Sequence, residues 1–268
     1  MSIQTVDEKY LYNQWPDGSK LYCGNALELL PAFPDDYFDL IVTDPPYESL
    51  RRWEGVGTTA RMGMGKKGTS ADDPTKFFKT ISNEDLPKLI REMWRILKFD
   101  RHSYLMCDNI TLPYIYTTCG LGFGKAPDIC RDEGIFPEWG NVKPLIWDKI
   151  NAGMGYHYRS RYEFIVMFDK GKNRRLADLG IPDVLSFPRV AGKEQIVPTQ
   201  KPLELMMLLI KQSSITGESV IDPFAGAGTT LLAAKNLGRK FIGIEIEPDN
   251  CQKIVNRFNV LQEQMSLI

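Results

Sequence analysis

Short apolar runs alternate with longer amphipathic stretches along most of this 268-residue chain. A short apolar run bounded by polar residues is typical of a buried strand, whereas apolar residues spaced three and four apart are typical of a helix. Strands that alternate with helices predict βαβ units, in which helices cover both faces of a largely parallel sheet. The pattern therefore predicts an α/β protein with a doubly wound sheet of about seven strands. The predicted strands are 20–23, 39–43, 103–107, 145–148, 162–168, 219–222 and 240–244, and the predicted helices are 83–97, 203–210, 228–237 and 249–261.

The length and the 43% hydrophobic content suit one large α/β domain with a full core. We expect a single domain over residues 1–268, interrupted by irregular stretches at about 48–80 and 170–198. Loops of that length are usually functional or disordered. Each basic cluster in them is either a solvated loop surface or a surface that grips nucleic-acid phosphates. The clusters are Arg51, Arg52, Arg61, Lys66 and Lys67 in the first stretch and Lys172, Arg174 and Arg175 in the second.

Charge and cysteine content exclude several classes of protein. The formal net charge is −1, so any contact with a polyanion must come from local patches. The five cysteines are scattered without a C-x-x-C pair, which argues against a disulfide framework and a tetrahedral zinc site. No run of about eighteen apolar residues predicts a membrane span. We therefore expect a cytoplasmic protein that binds neither a metal nor a membrane.

The tetrad Asp44-Pro45-Pro46-Tyr47 follows a predicted strand, at the edge where open α/β sheets bind ligands. An exocyclic amino group of a nucleobase is a poor nucleophile because its lone pair is delocalised into the ring. Two acceptors on its N–H bonds would localise that pair and stabilise the charge that develops during methylation. The Asp44 carboxylate and the Pro45 carbonyl are the predicted acceptors; Pro46 restricts the carbonyl's direction, and Tyr47 offers a stacking face. The alternative is that the tetrad forms only a rigid turn.

A glycine-rich segment follows the predicted strand 219–222 and predicts the cofactor half of the site. Gly226 and Gly228 let the backbone pass close to a ligand, and Glu245 ends the next strand, where a carboxylate typically binds ribose hydroxyls. The segment lacks the G-K-[ST] ending of a phosphate loop, and Asp222 would repel a pyrophosphate. An acid there suits the ammonium of an amino-acid tail, which favours S-adenosyl-L-methionine over NAD.

These motifs together resemble the β-group amino-methyltransferases of DNA, in which the catalytic tetrad precedes the cofactor motif in a circularly permuted order. Segments 25–30, 147–149 and 199–204 also resemble the family, as do Arg159, Tyr162 and Glu163. The resemblance implies a Rossmann-like methyltransferase sheet, with Thr199 and Lys201 near the methionine carboxylate. The cofactor-binding residues it implies are Asn25, Thr199, Lys201, Asp222, Phe224, Gly226, Gly228 and Glu245. Two departures are Asn25, where the family usually has an acid, and Val197-Pro198, where it commonly has His-Pro.

The resemblance implies methyl transfer from S-adenosyl-L-methionine to N6 of adenine in double-stranded DNA, because family members whose tetrad begins with Asp usually modify adenine. The target base must leave the stack to reach such a pocket. The alternatives are an N4-cytosine DNA methyltransferase, an RNA adenine methyltransferase, a protein-amide methyltransferase and a catalytically silent DNA-binding relative. Asp44 argues against the amide enzyme, whose tetrad usually begins with Asn. A homodimer and a cognate restriction endonuclease are the protein partners that the resemblance suggests testing.

Overall fold

A computed structural model describes residues 6–47, 81–121, 138–153, 157–192, 194–197 and 199–266. Within those ranges, nine strands form one mixed sheet with six α-helices around it. The strands are β1 (Leu11–Gln14), β2 (Lys20–Cys23), β3 (Phe38–Thr43), β4 (Leu97–Cys107), β5 (Asn141–Asp148), β6 (Tyr162–Lys170), β7 (Val184–Ser186), β8 (Ser219–Asp222) and β9 (Lys240–Glu245). The helices are α1 (Ala26–Leu29), α2 (Leu86–Ile96), α3 (Leu112–Thr118), α4 (Leu203–Ser213), α5 (Thr229–Asn236) and α6 (Pro248–Ser266).

The strand order is β1-β2-β9-β8-β3-β4-β6-β5-β7. The five strands from β2 to β4 in this order run parallel, and β6 is antiparallel to both β4 and β5. The seven strands between the two edges are the seven predicted from the sequence, so the predicted fold class is confirmed. The prediction missed the edge strands β1 and β7, which have four and three residues and carry little buried surface.

Several element boundaries differ from the predicted ones. Helix α2 begins at Leu86 rather than at residue 83, because Ser82 and Asp85 form a turn in which the Ser82 hydroxyl donates to Asp85 Oδ2 at 2.7 Å. The helix ends at Ile96, and Leu97 already has extended backbone at the start of β4. Leu97 continued the apolar spacing of the helix, so its pattern alone did not separate the two elements.

Two apolar layers lie on opposite faces of the sheet. One layer includes buried side chains of α4, α5 and α6, such as Leu209, Leu231 and Phe258. The other includes side chains of α1, α2 and α3, such as Leu29, Ile90 and Ile115. Strand β3 is buried along its whole length because both layers cover it. This is the doubly wound arrangement that alternating strands and helices predict.

Strands β3 and β8 are neighbours at the centre of the sheet, and the chain leaves them in opposite directions. The chain after β8 continues through α5 to β9, whereas the chain after β3 continues to β4 on the other side. Such a point of reversal opens a crevice at the carboxyl ends of the strands, where ligands bind in open α/β sheets. The predicted catalytic tetrad and the glycine-rich segment both begin at this crevice.

Candidate active site

A cavity of about 680 Å³ opens at the carboxyl edge of β3, β8 and β9. Its size falls within the range of about 300–1,000 Å³ that is usual for small-molecule sites. Its wall includes the whole tetrad from Asp44 to Tyr47 and residues 199–201. The cofactor-side residues on the wall are Asn25, Phe224, Gly226 and Glu245.

Asp44 is held from two directions within the cavity wall. The Tyr47 hydroxyl donates a hydrogen bond to Asp44 Oδ1 at 2.9 Å, and the Lys201 ammonium donates to Oδ2. Burial raises the pKa of the Asp44 carboxyl above its usual value, and Lys201 opposes that rise. Burial also raises the pKa of Tyr47 well above its usual value, so its hydroxyl stays protonated and remains a donor. Each Asp44 oxygen keeps a lone pair beyond the donor it already holds.

The two prolines give the tetrad its shape. The Pro46 carbonyl accepts a hydrogen bond from the Ile81 amide at 2.8 Å, which joins the tetrad to the segment before α2. Among the residues that the structure describes, none donates a hydrogen bond to the Pro45 carbonyl. Pro45 lines the cavity. Asp44 and Pro45, the two residues predicted to supply the acceptors, therefore both line the cavity.

Lys201 connects Asp44 to a second carboxylate. Its ammonium lies 3.7 Å from Glu163 Oε2, while Lys149 donates to Glu163 Oε1 at 2.5 Å. Both ammonium groups lie over the Trp147 ring, at 5.9 Å for Lys201 and 5.4 Å for Lys149 from the ring centroid. The result is a row of alternating charges, Asp44, Lys201, Glu163 and Lys149, which we call the charge row. The resemblance implied that Lys201 lies near the methionine carboxylate, whereas the structure pairs it with the tetrad.

Glu245 organises the cofactor side of the cavity. Its Oε2 accepts the Gly226 amide at 2.8 Å and its Oε1 accepts the Glu247 amide at 2.9 Å. Gly226 has a positive φ of 52°, and among the described residues other than its chain neighbours only the Phe224 carbonyl lies within 4 Å of the place where a side chain would begin. The carboxylate is thus fixed by two backbone donors and keeps lone pairs for hydroxyl groups of a ligand. Burial raises the pKa of Glu245. Its role as an acceptor through both oxygens requires the ionised form.

Asn25 caps the short helix α1 and also lines the cavity. Its Oδ1 accepts the Leu27 amide at 3.1 Å, and its amide nitrogen donates to Glu28 Oε1 at 3.1 Å. Phe224 is half-buried and Thr199 is exposed, and both lie on the cavity wall. The structure therefore brings six of the eight predicted cofactor residues to one cavity. Their roles toward a cofactor stay predictions.

Asp222 and Gly228 do not line the cavity, which differs from the predicted direct contact. Asp222 accepts the Thr43 hydroxyl at 2.9 Å and the Phe224 amide at 3.0 Å, and burial raises its pKa to about 6. These bonds tie the end of β8 to the end of β3. Gly228 has a φ of 70°, and a side chain there would begin 3.0 Å from Ile254. Asp222 and Gly228 therefore support the loop between β8 and α5 without lining the cavity.

The basic cluster of residues 172–175 lies at the opposite edge of the sheet. Arg174 makes two hydrogen bonds to Glu218, at 2.9 and 2.7 Å, just before the first residue of β8. The cavity is at the other end of that strand. Lys172 and Arg175 are exposed beside this pair. The structure does not bring the cluster to the site, so DNA contact there stays a prediction. The five basic residues predicted at 51–67 lie outside the described residues.

The charged cavity residues that were not among the sequence-predicted site residues include Glu163, Lys149 and Arg189. The first two belong to segments that carried the family resemblance, so the sequence did contain a signal for them. Arg189 lies in the irregular stretch after β7 and had no such signal. Within the described ranges, the side chains form no cluster of three or more acidic, His or Cys groups suited to a metal. None of the helices described here is long and apolar enough to cross a membrane.

Comparisons with known proteins agree with this geometry. A family model described as DNA methylase matches residues 38–256. The DNA adenine methyltransferase YhdJ of Escherichia coli strain K12 is 28% identical over 273 residues, which cover 88% of this chain and 81% of that protein. The structure of an M1.HpyAVI–SAM complex superposes with a TM-score of 0.58 at 25% identity and covers 88% of this chain and 98% of that one. The cytosine-N4-specific PvuII DNA methyltransferase has a TM-score of 0.59 over 89% and 86% of the two chains; at 16% identity this is a likeness of fold alone.

Proposed function

Because this chain belongs to the N6-adenine and N4-cytosine DNA methylase family, we propose that it methylates N6 of adenine in DNA. The reaction class, a methyl transfer to DNA, follows from the family. The choice of adenine is supported by the carboxylate at the first tetrad position, together with the cavity that Asp44 faces. The similarity to an adenine enzyme over 88% of the chain points the same way. One observation carries the proposal: Asp44 and Pro45 both line the cavity, and no described residue donates a hydrogen bond to the Pro45 carbonyl.

The two acceptors act on the amino group of the target base. Hydrogen bonds from both N–H bonds to Asp44 and to the Pro45 carbonyl favour a pyramidal nitrogen, whose lone pair then points away from the ring plane. The Asp44 charge also stabilises the positive charge that the nitrogen gains as the new bond forms. After transfer, the nitrogen is acidic and Asp44 is placed to accept its proton.

The cofactor side of the cavity fits S-adenosyl-L-methionine. The open space at Gly226 lets a ligand approach the backbone, and Glu245 presents carboxylate lone pairs for ribose hydroxyls. Asn25, Phe224 and Thr199 would complete the contacts. When bound, this cofactor supplies an electrophilic methyl group on a sulfonium. No titratable side chain is needed to activate it.

The substrate base reaches this cavity only if it leaves the helical stack. Enzymes that modify a base in a duplex flip it into a pocket, which costs a few kcal/mol of unstacking and unpairing. Stacking of the flipped base against an aromatic ring stabilises the complex by about 1 to 3 kcal/mol. Tyr47 is the aromatic residue of the tetrad on the cavity wall, and its hydroxyl bond to Asp44 fixes its orientation. We propose that the base stacks on its ring.

The product base separates this proposal from its alternatives. We expect the purified protein, incubated with S-adenosyl-L-methionine and unmodified duplex DNA, to form N6-methyladenine that is detected by mass spectrometry of the digested nucleosides. An N4-methylcytosine product would select the cytosine enzyme instead. Methylation of RNA adenine, with unmodified DNA under the same conditions, would select the RNA enzyme. Absence of any product, with cofactor binding intact, would identify a silent relative.

The salt dependence of DNA binding tests which basic residues contact phosphates. We expect Arg189→Ala to lower the slope of log Kd against log salt concentration by about 0.9, because that is the change for one lost phosphate contact. Arg189 is exposed on the cavity wall. The matched control is Arg175→Ala, which removes another exposed arginine, at the opposite edge of the sheet. A lower slope for Arg175→Ala with no change for Arg189→Ala would place the DNA on the cluster predicted from the sequence.

A further inference from the structure

The charge row places a lysine where the proposed chemistry needs an ionised acceptor. Lys201 is 8% exposed and donates to Asp44 Oδ2, with Glu163 on its other side and the Trp147 ring beside it. Trp147 is itself fixed by a hydrogen bond from its indole nitrogen to the Phe187 carbonyl at 2.8 Å. The lysine therefore has one well-defined position rather than the freedom of a surface side chain.

We propose that Lys201 is a positioning residue that keeps Asp44 ionised and oriented toward the amino group, and that Glu163 anchors the lysine from the opposite side. This inference rests on the proposed amino-group methylation. A protonated Asp44 would present an O–H donor toward the base and would lose the charge that stabilises the cationic nitrogen. A buried carboxyl without a cation nearby tends to take that form, because burial disfavours the charged state.

The directions of the pKa shifts agree with this arrangement. Burial lowers the pKa of Lys201, but Asp44 and Glu163 outweigh burial, so the net shift is upward and the lysine stays charged. Burial raises the pKa of Glu163, but Lys201 and Lys149 outweigh it, so the net shift is downward. Lys149 thus keeps Glu163 ionised, Glu163 holds Lys201, and Lys201 holds Asp44. Tyr47, Asp222 and the Cys107 thiol also face Asp44 electrostatically.

Two substitutions should move the pH dependence of the reaction in opposite directions. Lys201→Met removes the cation that stabilises ionised Asp44, so we expect the acid limb of kcat to move to higher pH by about 1 to 3 units. Glu163→Gln removes a negative charge that raises the pKa of Asp44. We therefore expect its acid limb to move to lower pH. Lys201→Arg keeps the charge and should stay nearest to wild type. Lys143→Met, which breaks the exposed pair with Asp183, is the matched control for a lost lysine.

Structural damage alone would lower kcat in Lys201→Met and Glu163→Gln without moving the acid limbs of their pH profiles in opposite directions. An acid limb that stays in place in Lys201→Met would overturn the proposal. If the acid limb stays in place and the affinity for S-adenosyl-L-methionine falls tenfold in Lys201→Met, the lysine binds the methionine carboxylate instead. Calorimetry on the same variants measures that affinity.

A titration that does not depend on activity keeps this inference separate from the proposed function. The Asp44 carboxyl can be followed by carbon NMR in the full chain, with its signal assigned by its loss in Asp44→Asn. That assignment also separates it from Asp222, whose pKa is likewise raised by burial. We expect the Asp44 pKa to be higher in Lys201→Met and lower in Glu163→Gln than in wild type. Equal values in all three proteins would refute the role of Lys201, whatever the substrate proves to be.

Discussion

Asp44→Ala should abolish methyl transfer while leaving S-adenosyl-L-methionine binding close to that of the wild type. The side chain faces the proposed amino group and makes no contact with Glu245 or Gly226, which form the other side of the cavity. Removing one preorganised group that stabilises transition-state charge typically lowers kcat by about 10²–10³-fold. Asp44 has two roles, as the acceptor of an N–H bond and as the charge opposite the cationic nitrogen, so we expect a loss at or beyond the upper end of that range.

The measurement is single-turnover methyl transfer together with calorimetry of cofactor binding. Asp44→Ala also leaves the Lys201 ammonium without its nearest carboxylate, so a thermal unfolding curve must accompany the kinetics. Asp44→Asn is the better matched variant, because it keeps the volume and one acceptor oxygen. Wild-type kcat in a folded Asp44→Asn protein would remove Asp44 from the chemistry.

Glu245→Ala should act on the other half of the site and weaken cofactor binding. The carboxylate is held by the Gly226 and Glu247 amides, with lone pairs left for two ribose hydroxyls. Hydrogen bonds to a charged group contribute about 1.5–3 kcal/mol each, so the loss of even one such bond lowers the affinity by roughly 10- to 100-fold, and we expect a loss of at least that size. Once the cofactor is saturating, kcat should recover much of its wild-type value, because the amino-group acceptors are intact.

Calorimetry with S-adenosyl-L-methionine measures the affinity directly. Glu204→Ala, which removes an exposed carboxylate from the first turn of α4, is the control for a lost acidic side chain. Glu245→Gln keeps the shape but offers one acceptor oxygen, so its affinity should lie between those of wild type and Glu245→Ala. Unchanged affinity in both Glu245 variants would mean that the ribose binds elsewhere.

The sequence predicted the centre of the fold well because burial there is strong and periodic. Strand β3 is buried at every position, and its apolar run had no competing helical interpretation. The edge strands β1 and β7 were missed because a strand that packs on one side leaves a weak pattern over three or four residues. The prediction ended α2 one residue late, at Leu97, because an apolar residue there fits either period, and it began β4 at residue 103 instead of Leu97.

The candidate site could be predicted as a set of residues but not as a set of contacts. Motif positions brought Asp44, Gly226 and Glu245 to one edge of the sheet, because each lies at or shortly after the carboxyl end of a strand. Lys201, which pairs with Asp44, lies 157 residues away along the chain, and no local pattern connects the two. For Arg174 the sequence suggested a contact that the structure does not show. Its basic neighbours suggested DNA contact, whereas it pairs with Glu218, which sheet topology brings close to it. A homodimer and a cognate endonuclease stay predictions.

The most direct test of methyl transfer to adenine in DNA is to map modified bases in cells. The protein and its Asp44→Ala variant would be expressed in a host that lacks adenine methylation, and the genomic DNA sequenced by a method that detects each modified base. We predict N6-methyladenine within one recurring sequence motif for the wild type and none for the variant. Methylated cytosine in place of adenine, or the same pattern of modification with Asp44→Ala, would contradict the account.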